Sequence, residues 1–506
     1  MTLDELRESI DSADRSLLQS FKKRMEVAQQ IGLYKAERGL PVLDKEREIK
    51  KLNSICSEAD PEIRPYVREL YETLFKLSRD KQSKAKFGVL GQSLPHSYSP
   101  MLHYMYQDEY EYTVIEKEPD ELDNLFSEEN RIYSGFNVTI PYKKEAYKRC
   151  AFLSEEAKAV GSVNTVVFDE DNKAHGYNTD IYGFTYLLTS NGIDVDNKKC
   201  LILGTGGAST AVEYSLKKLN AASVKFCSRT GEINYDNIYE LCGDTDIIVN
   251  TTPVGMFPHA DETPVEPAKF SKLYAVVDIV YNPGKTKLMS LASSCGVPNV
   301  IGGLKMLVAQ GYKASLIFRH LDDELSADVA ASVIDKAYKE LEFKMKNIAF
   351  IGMPGCGKST FARYAAERFQ REVIDLDKAY EEAYGISPAS EITANGEETF
   401  RQKETELLRD VAYLSGKVIS CGGGIVTRDE NVEILRANSI VVYLDRPLEI
   451  LASNDRPLSA RYGVEELYSR RHKLYENACD IKLTVDKTDS EKEFLNAAIQ
   501  KLISEL

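Results

Sequence analysis

The sequence lacks an excess of basic residues, paired cysteines and long apolar runs, and each absence excludes a class of protein. Of 506 residues, 64 are Lys or Arg and 79 are Asp or Glu, so the formal net charge is -15. This balance argues against a nucleic-acid or membrane partner. The nine cysteines form no C-x-x-C pair, which predicts neither a disulfide framework nor a zinc site. Without a transmembrane run or signal-peptide pattern, we expect a cytoplasmic protein.

The length and the hydrophobic periodicity together predict several domains. A chain of 506 residues is too long for one hydrophobic core. Residues 1–84 have helical periodicity, starting at a capping box at Thr2–Glu5 and predicting helices to about residue 37, at 44–57 and at 62–82. Residues 86–343 alternate strands and helices, the α/β pattern of parallel sheets, and residues 346–506 begin again with a strand. The helical part is too thin to bury a core alone, which predicts pairing with a second chain.

A phosphate-binding loop opens the last segment. GMPGCGKST, residues 352–360, follows the strand NIAFIG and precedes a helical pattern. Backbone N–H groups would hold phosphate oxygens, Lys358 would reach the β- and γ-phosphates, and the Ser359 hydroxyl would hold Mg²⁺. We therefore expect ATP and Mg²⁺ as ligands, bound by Gly355, Cys356, Gly357, Lys358, Ser359 and Thr360.

Two carboxylates follow in REVIDLD, residues 371–377. If this stretch is a strand, its two-residue period puts Asp375 and Asp377 on one face. One carboxylate could then organise Mg²⁺ while the other accepts the proton of a substrate hydroxyl. The alternative is an acidic cap at the start of a helix.

Motifs across residues 346–506 together resemble shikimate kinase; they are GMPGCGKST, DLD, GEETFRQKE (396–404), CGGG (421–424), RPL (456–458) and RRHKLY (470–475). The resemblance implies that Asp377 binds the shikimate hydroxyls, that Asp375 supports Mg²⁺, and that Arg456 on the lid stabilises the transferring phosphoryl group. It also implies an acceptor site formed by Arg401, Gly423 and Arg471, in which the two guanidinium groups pair with the carboxylate. The lid sequence LDRPLEILASND is short and offers no basic residue at the position where the family packs an Arg on adenine. Another small polyol acceptor remains an alternative.

A glycine-rich turn in the middle segment predicts a dinucleotide site. LILGTGGAST, residues 201–210, follows a strand and opens a helix, with Ser209 in place of the third glycine of G-x-G-x-x-G. Arg229 ends the next strand, where an NAD enzyme would carry an acidic residue for the ribose diol. An arginine there suits a 2′-phosphate and favours NADP.

The middle segment resembles shikimate dehydrogenase in seven motifs; they are GQSLPHSYSP (91–100), FNVTIPYKKE (136–145), GSVNTV (161–166), HGYNTDIYG (175–183), NTTPVGM (250–256), DIVYNPGKT (278–286) and GGLKMLVAQ (302–310). The resemblance implies a substrate part (86–190), a Rossmann NADP part (191–300) and C-terminal helices (301–343). It implies that Lys143 and Asp180 relay the hydroxyl proton during hydride transfer. The implied substrate-binding residues are Ser97, Ser99, Thr139, Asn164, Tyr281 and Gln310. The implied cofactor-binding residues are Gly204, Gly206, Gly207, Ala208, Ser228, Arg229, Thr230 and Gly303. Ser99, where quinate-preferring relatives have Thr, favours shikimate.

Cationic residues interrupt the first helix. Arg24 and Lys35 are 11 residues apart, close to three full turns, and so share a face. Arg7 lies 17 residues before Arg24, about 25 Å along a straight helix, so it cannot reach their pocket within one chain, although a symmetry mate could deliver it. The alternative is a solvated charge pattern on a long helix.

Three stretches of the first segment resemble the all-helical chorismate mutase; they are LRESID (6–11), RMEVAQQIGLYKAERGLPVLDKERE (24–48) and SRDKQ (78–82). The resemblance implies a homodimer with Arg7 acting in trans. Arg7, Arg24, Lys35 and Arg47 would bind the carboxylates and ether oxygen of chorismate, and Asp44, Glu48, Ser78 and Gln82 would orient the rest. The pericyclic reaction needs only a compact conformer and stabilised charge at the breaking C–O bond.

The sequence therefore predicts a multidomain, trifunctional enzyme of aromatic amino-acid biosynthesis. It would rearrange chorismate to prephenate, reduce 3-dehydroshikimate to shikimate with NADPH, and phosphorylate shikimate with ATP. The alternative is a bifunctional dehydrogenase and kinase whose helical segment is a dimerisation or effector-binding module.

Overall fold

A computed structural model describes residues 2–36, 44–83, 85–95, 97–107, 110–127, 132–169, 171–321, 326–451, 463–484 and 491–505. The chain divides into two compact units. One comprises Met1–Ala157 with Gly161–Tyr177, and the other Lys158–Val160 with Asn178–Leu506.

The N-terminal segment is helical, as predicted; its helices are α1 (Leu3–Ala36), α2 (Lys45–Glu58) and α3 (Arg64–Ser83). The predicted capping box starts α1: Glu5 N donates to Thr2 Oγ1 at 3.2 Å and Thr2 N donates to Glu5 Oε2 at 2.7 Å. α1 is uninterrupted over 34 residues and packs against α3. Large apolar side chains along α1 remain exposed, including Ile10 at 62% and Leu17 at 59%.

The first sheet lies in the same unit as these helices. Its strands are β1 (Lys86–Gly91), β2 (Glu111–Glu116), β3 (Gly135–Val138), β4 (Phe152–Leu153), β5 (Thr165–Phe168) and β6 (Ala174–Tyr177). They run in the order β2-β1-β3-β5-β6-β4, and the accompanying helices are α4 (Ser99–Tyr106), α5 (Leu122–Phe126), α6 (Lys143–Arg149) and α7 (Glu155–Val160). The expected parallel pattern is only partly correct here, because β5 pairs antiparallel with both β3 and β6. A tight turn, closed by Asp169 N donating to Lys173 O at 3.1 Å, reverses the chain between β5 and β6.

The second sheet is wholly parallel, as predicted. Its strands are β7 (Lys199–Leu203), β8 (Ser223–Cys227), β9 (Ile247–Asn250), β10 (Ala275–Asp278) and β11 (Asn299–Gly302), in the order β11-β10-β9-β7-β8. The helices around it are α8 (Asp180–Ser190), α9 (Ser209–Lys218), α10 (Ile238–Cys242), α11 (Lys287–Ser294), α12 (Leu304–Phe318) and α13 (Ala327–Met345). Although predicted within the substrate part, α8 packs on this sheet, where Phe184, Leu187 and Leu188 join its core.

The third sheet is parallel as well. Its strands are β12 (Asn347–Ile351), β13 (Val373–Asp375), β14 (Val418–Ser420), β15 (Ser439–Asp445) and β16 (Ile481–Thr484), in the order β13-β14-β12-β15-β16. Its helices are α14 (Lys358–Phe369), α15 (Leu376–Tyr384), α16 (Pro388–Asn395), α17 (Glu397–Ala412), α18 (Asp429–Asn438), α19 (Val464–Ala478) and α20 (Glu491–Glu505). The loop of residues 352–357 connects the central strand β12 to α14, as the phosphate-loop pattern predicts.

Among the residues that the structure describes, no helix combines the length and apolar character needed to cross a bilayer.

Candidate functional site

The phosphate loop has the backbone that its glycines allow. Gly355 and Gly357 have φ values of +84° and +91°, which residues other than glycine rarely adopt. The Lys358 ammonium group is buried and donates to the carbonyls of Gly352 and Met353, both at 3.0 Å. The loop is thus held open around the N-terminus of α14, where backbone N–H groups and a lysine favour an anion.

Beside the loop lies a cavity of about 270 Å³; its lining residues are Gly355, Gly357, Lys358, Ser359, Thr360, Asp377, Ser420, Cys421 and Gly423. Ser359 Oγ lies 3.1 Å from Ser420 Oγ, at the carboxyl end of β14. The structure therefore brings five of the six predicted nucleotide-binding residues, all except the buried Cys356, to one cavity with the predicted acceptor residues Asp377 and Gly423.

The predicted strand through Asp377 is wrong, and the helix-cap alternative is correct. β13 ends at Asp375, whose side chain accepts from Asp377 N at 3.2 Å and so caps α15. Asp377 lies in the first turn of that helix, because a carboxylate at the cap satisfies an otherwise unpaired helical N–H. Asp377 still reaches the acceptor side, since its Oδ1 is 3.3 Å from where a Cβ on Gly422 would lie.

Arg401 is buried on α17, where it pairs with two carboxylates that the sequence interpretation missed. Its Nη1 donates to Glu404 Oε2 at 2.6 Å and its Nη2 to Glu397 Oε1 at 3.3 Å. Burial raises the pKa of Glu404, although the guanidinium group opposes that shift. Arg401 Nε is buried without a hydrogen-bond partner among the described residues. A buried donor without a partner is costly, and Glu404 and Glu397 offset that cost by pairing with the two terminal nitrogens of the same guanidinium group.

The glycines of CGGG contact the two predicted acceptor arginines, Arg401 and Arg471. A Cβ on Gly424 would lie 1.9 Å from Arg401 Nη2, and one on Gly423 would lie 2.8 Å from Pro354. The second predicted arginine, Arg471 on α19, is buried and donates to Gly423 O at 3.1 Å. Both arginines and the phosphate loop therefore converge on this glycine segment.

Of the predicted lid, the structure describes the residues up to 451. The predicted catalytic Arg456 lies outside the described residues. Arg446, which directly follows β15, has its Nη1 3.5 Å from the position of a Cβ on Gly357. The sequence interpretation overlooked this cation beside the phosphate loop, although LDRPL displays it one residue after the strand end.

The dinucleotide loop leaves open space for a ligand. Gly204 has a φ of +98°, and a Cβ there would lie 2.8 Å from Thr252. At Gly206 and Gly207 a Cβ would meet nothing within 4 Å. Ser209, in place of the third glycine, begins α9 and donates from Oγ to Gly206 O at 2.7 Å. The hydroxyl of Ser209 therefore closes the turn by a hydrogen bond within the loop. The open space at Gly206 and Gly207 fits a phosphate at the N-terminus of α9.

Four of the remaining predicted cofactor residues lie near this loop: Ala208 is the N-cap of α9, and Ser228, Arg229 and Thr230 follow the neighbouring strand β8. The fifth, Gly303, follows β11 at the other edge of the sheet. Arg229 is exposed, as a residue that meets a 2′-phosphate must be. Gly303 has no room for a side chain, since a Cβ would lie 2.1 Å from Ile279 O.

In the first unit, backbone pairing brings three predicted substrate residues together. Val138 N donates to Asn164 O at 2.7 Å, and Val163 N donates to Lys143 O at 3.0 Å. Thr139 follows Val138 at the end of β3, and Lys143 begins α6. Thr139, Lys143 and the buried Asn164 therefore surround the carboxyl end of β3. Ser97 and Ser99 lie at the start of α4, where Ser99 N donates to Ser97 Oγ at 3.3 Å.

The second unit holds the other predicted dehydrogenase residues. Asp180 is buried at the first position of α8, and its N–H donates to Asn178 Oδ1 at 3.2 Å. Gln310 Oε1 accepts from Thr179 Oγ1 at 3.3 Å, which places Gln310 beside Asp180. Tyr281 lies in the connection between β10 and α11.

The helical segment forms its own polar site around Arg24. Arg24 Nη1 donates to Leu74 O at 3.2 Å and to Ser78 Oγ, and the Glu48 carboxylate acts on the same guanidinium group. Partial burial lowers the pKa of Arg24, and Tyr71 and Glu48 oppose that shift. Arg24 therefore contacts Ser78, and Glu48 is close enough to act on its charge.

The other predicted residues of this segment lie on all three helices or at their ends. Asp44 caps α2 by accepting from Arg47 N at 3.0 Å, and Lys35 lies in the last turn of α1. Gln82 is on α3. Arg7, at the other end of α1, pairs with Asp4 at 3.4 Å and is exposed. A straight helix therefore separates Arg7 from Arg24 in one chain.

Comparison with known families matches three separate parts of the chain. Residues 6–83 match chorismate mutase type II, residues 89–166 match the shikimate dehydrogenase substrate binding domain, and residues 354–505 match shikimate kinase. The shikimate dehydrogenase (NADP(+)) of Clostridium beijerinckii is 35% identical over 272 residues, covering 50% of this chain and 99% of the relative. That of Clostridium perfringens is 34% identical over 280 residues, covering 51% and 98%. A crystal structure of a chorismate mutase/shikimate 5-dehydrogenase fusion protein from Clostridium acetobutylicum is 30% identical, with a TM-score of 0.46 and coverage of 51% and 98%.

Proposed function

This chain belongs to the shikimate dehydrogenase family, and from that membership we propose a trifunctional enzyme with assigned residues for each reaction. The flanking matches to chorismate mutase and shikimate kinase supply the other two activities. The substrates are chorismate, 3-dehydroshikimate and shikimate, and the cofactors are NADP and ATP. The observation that carries the proposal is that each matched segment contains its own polar site built on separate elements.

In the dehydrogenase, Lys143 and Asp180 exchange the proton of the reacting hydroxyl. NADPH supplies the hydride when it is bound. Thr139, Asn164 and Gln310 orient the ring hydroxyls, and Ser97, Ser99 and Tyr281 hold the carboxylate. The open turn at Gly206 and Gly207 admits the pyrophosphate, and the exposed Arg229 supports the choice of NADP.

In the kinase, the N-terminus of α14 and Lys358 hold the ATP phosphates, and Ser359 with Asp375 would organise Mg²⁺. Arg401 and Arg471 bind the shikimate carboxylate, while Asp377 accepts the proton of the attacking hydroxyl. Arg456 would stabilise the transferring phosphoryl group. Two buried guanidinium groups beside the CGGG segment, Arg401 and Arg471, support a carboxylate-bearing acceptor over a neutral polyol.

In the mutase, Arg24, Lys35 and Arg47 fix the compact conformer of chorismate, and Asp44, Glu48, Ser78 and Gln82 complete the pocket. Arg7 comes from the second chain of a homodimer. The exposed apolar residues of α1, including Ile10 and Leu17, supply the self-complementary surface that a two-fold dimer requires.

A coupled assay on the purified chain tests the dehydrogenase and the kinase. We expect loss of NADPH and formation of shikimate 3-phosphate when dehydroshikimate, NADPH, ATP and Mg²⁺ are supplied, followed by absorbance and mass spectrometry. Consumption of NADPH with accumulation of shikimate would refute the kinase acceptor, and gluconate as an alternative acceptor would then be tested.

Mixing two inactive variants tests the mutase, the dimer and the role of Arg7. We expect Arg7→Ala and Arg24→Ala each to abolish prephenate formation. Because a mixed two-fold dimer carries one intact site, co-refolding the two variants should restore about a quarter of the activity. A pure effector-binding module would bind chorismate without turnover in any of these samples. No restoration on mixing would place Arg7 and Arg24 in the same chain's site.

A further inference from the structure

The loop between β10 and α11, residues 279–286, is anchored within the dehydrogenase at both ends. Asp278 is fully buried; its Oδ2 accepts from Thr286 Oγ1 at 2.7 Å and its Oδ1 from Val280 N at 3.1 Å. Gly303 N donates to Val280 O at 3.2 Å. These bonds fix the two ends of the loop. At its tip, residues 282–285, Phe257 N donates to Asn282 O at 3.2 Å from within the dehydrogenase, before the contacts that the kinase segment adds.

The kinase segment holds that tip. Gly284 N donates to Asn438 Oδ1 at 3.2 Å, and Lys285 N donates to Ala437 O at 2.9 Å. Ala437 and Asn438 are the last residues of α18, and Asn438 lies 154 residues after Gly284 in the chain. Two consecutive backbone donors of one domain therefore pair with two consecutive residues of another.

Apolar and charged contacts surround these two bonds. Ala260 is 3% exposed and belongs to the hydrophobic core cluster of the third sheet, and Phe257 packs against the same cluster. At the rim, Lys287 Nζ lies 3.5 Å from Glu433 Oε2. We call this contact the junction; it comprises Phe257, Ala260, residues 282–287, Glu433, Ala437 and Asn438.

Asn438 connects the junction to the inside of the kinase. It is buried, and its Nδ2 donates to Leu414 O at 3.0 Å and to Ala412 O at 3.4 Å, just beyond α17 and at its end. Asn347 donates to the same two carbonyls, at 2.7 and 2.8 Å, and its Oδ1 accepts from Lys417 N at 2.8 Å. The two carbonyls therefore keep a donor if Asn438 is lost, whereas Gly284 N loses the acceptor that Asn438 supplies.

We propose that Asn438 of the kinase segment is a positioning residue for the dehydrogenase, which holds the loop tip so that Tyr281 meets the substrate carboxylate. This inference rests on the proposed dehydrogenase function and on the assignment of Tyr281. Tyr281 directly precedes the tip, so a displacement of residues 282–285 moves its backbone. The kinase segment thus completes the substrate site of the dehydrogenase without touching the substrate.

The pair Asn438→Leu and Asn347→Leu tests this in the full chain. Leucine has nearly the shape of asparagine, and both variants remove donors to the same carbonyls, but only Asn438→Leu removes the bond to Gly284. We expect Asn438→Leu to raise the dehydrogenase KM for shikimate about twofold to tenfold, the range that corresponds to one ordinary hydrogen bond. The KM for NADP should stay at the wild-type value. Asn347→Leu should leave both KM values unchanged, although it also leaves Lys417 N without its acceptor and so removes more hydrogen bonds within the kinase segment than Asn438→Leu does.

Ala260→Arg perturbs the junction from the dehydrogenase side and guards against misfolding of Asn438→Leu. A long charged side chain in this apolar contact should separate the faces and raise the KM for shikimate at least as much. An unchanged KM in both junction variants would overturn the proposal, as would an equal rise in Asn347→Leu, which would indicate general destabilisation. If the wild-type chain does not oxidise shikimate with NADP at all, the proposed function fails, and the positioning role falls with it.

Discussion

Adding one methyl group at Gly424 should displace Arg401, the arginine that we propose binds the shikimate carboxylate. The Cβ of Gly424→Ala would lie 1.9 Å from Arg401 Nη2 and 2.3 Å from its Cζ, well inside contact distance. Arg401 cannot move away freely, because Glu404 and Glu397 hold its two terminal nitrogens. The φ of Gly424 is -106°, which alanine adopts without strain, so the effect is steric alone.

The magnitude follows from the bonds that would be lost. A hydrogen bond to a charged group contributes about 1.5–3 kcal/mol, so we expect the KM for shikimate to rise about 10-fold to 100-fold. The phosphate loop is not displaced, so the KM for ATP should change little. Overpacking should also lower the stability of the kinase segment by about 1–3 kcal/mol.

Gly385→Ala is the matched control. Gly385 has a φ of +69°, and its Cβ would meet no atom within 4 Å. This variant should lose stability through backbone strain and keep the wild-type KM for shikimate. Steady-state kinetics with shikimate and ATP varied separately would measure both effects. A normal KM for shikimate in Gly424→Ala would refute the assignment of Arg401 to the carboxylate.

Three further predictions concern the other segments. Burial raises the pKa of Asp278 from 3.8 to about 6, so the stability that it contributes is present below pH 4 and is lost as the pH rises through 6. The loss is roughly 3 kcal/mol, and thermal unfolding at several pH values should show it in the wild type but not in Asp278→Asn. Ile10→Glu, among the exposed apolar residues of α1, should give a monomer in analytical ultracentrifugation, and that monomer should form no prephenate. A fully active monomer would contradict the dimer. Arg446→Ala should raise the KM for ATP about tenfold and leave the KM for shikimate unchanged, because the lost cation lies beside Gly357. An unchanged KM for ATP would exclude Arg446 from the nucleotide site.

Local patterns predicted much of the fold and of the candidate sites. The capping box at Thr2 and the glycines of the phosphate loop depend on neighbours within a few residues, and the structure confirms both. The family resemblances are confirmed by the matches to three families. The meeting of Arg24 with Ser78 was predictable only through such a resemblance, because 54 residues separate them.

Other features depend on choices that a local pattern leaves open. The DLD stretch suits a strand or a capped helix equally well, and the side-chain bond of Asp375 to Asp377 N decides for the helix. Glu404 lies three residues after Arg401, a spacing that predicts an ion pair on a helix, but its burial depends on packing against the CGGG segment. The bond between Gly284 and Asn438 has no local signature, because it joins two domains across 154 residues.

If the exposed apolar residues of α1 form the proposed homodimer, the three reactions depend differently on protein concentration. The phosphate-loop cavity and the dinucleotide turn are built within one chain, so their turnover per chain should stay constant on dilution. A site that borrows Arg7 from a second copy obeys mass action, and its turnover per chain should decline once dilution separates the chains. Dilution alone would therefore make this chain a bifunctional enzyme, and restoring the concentration would return the third activity.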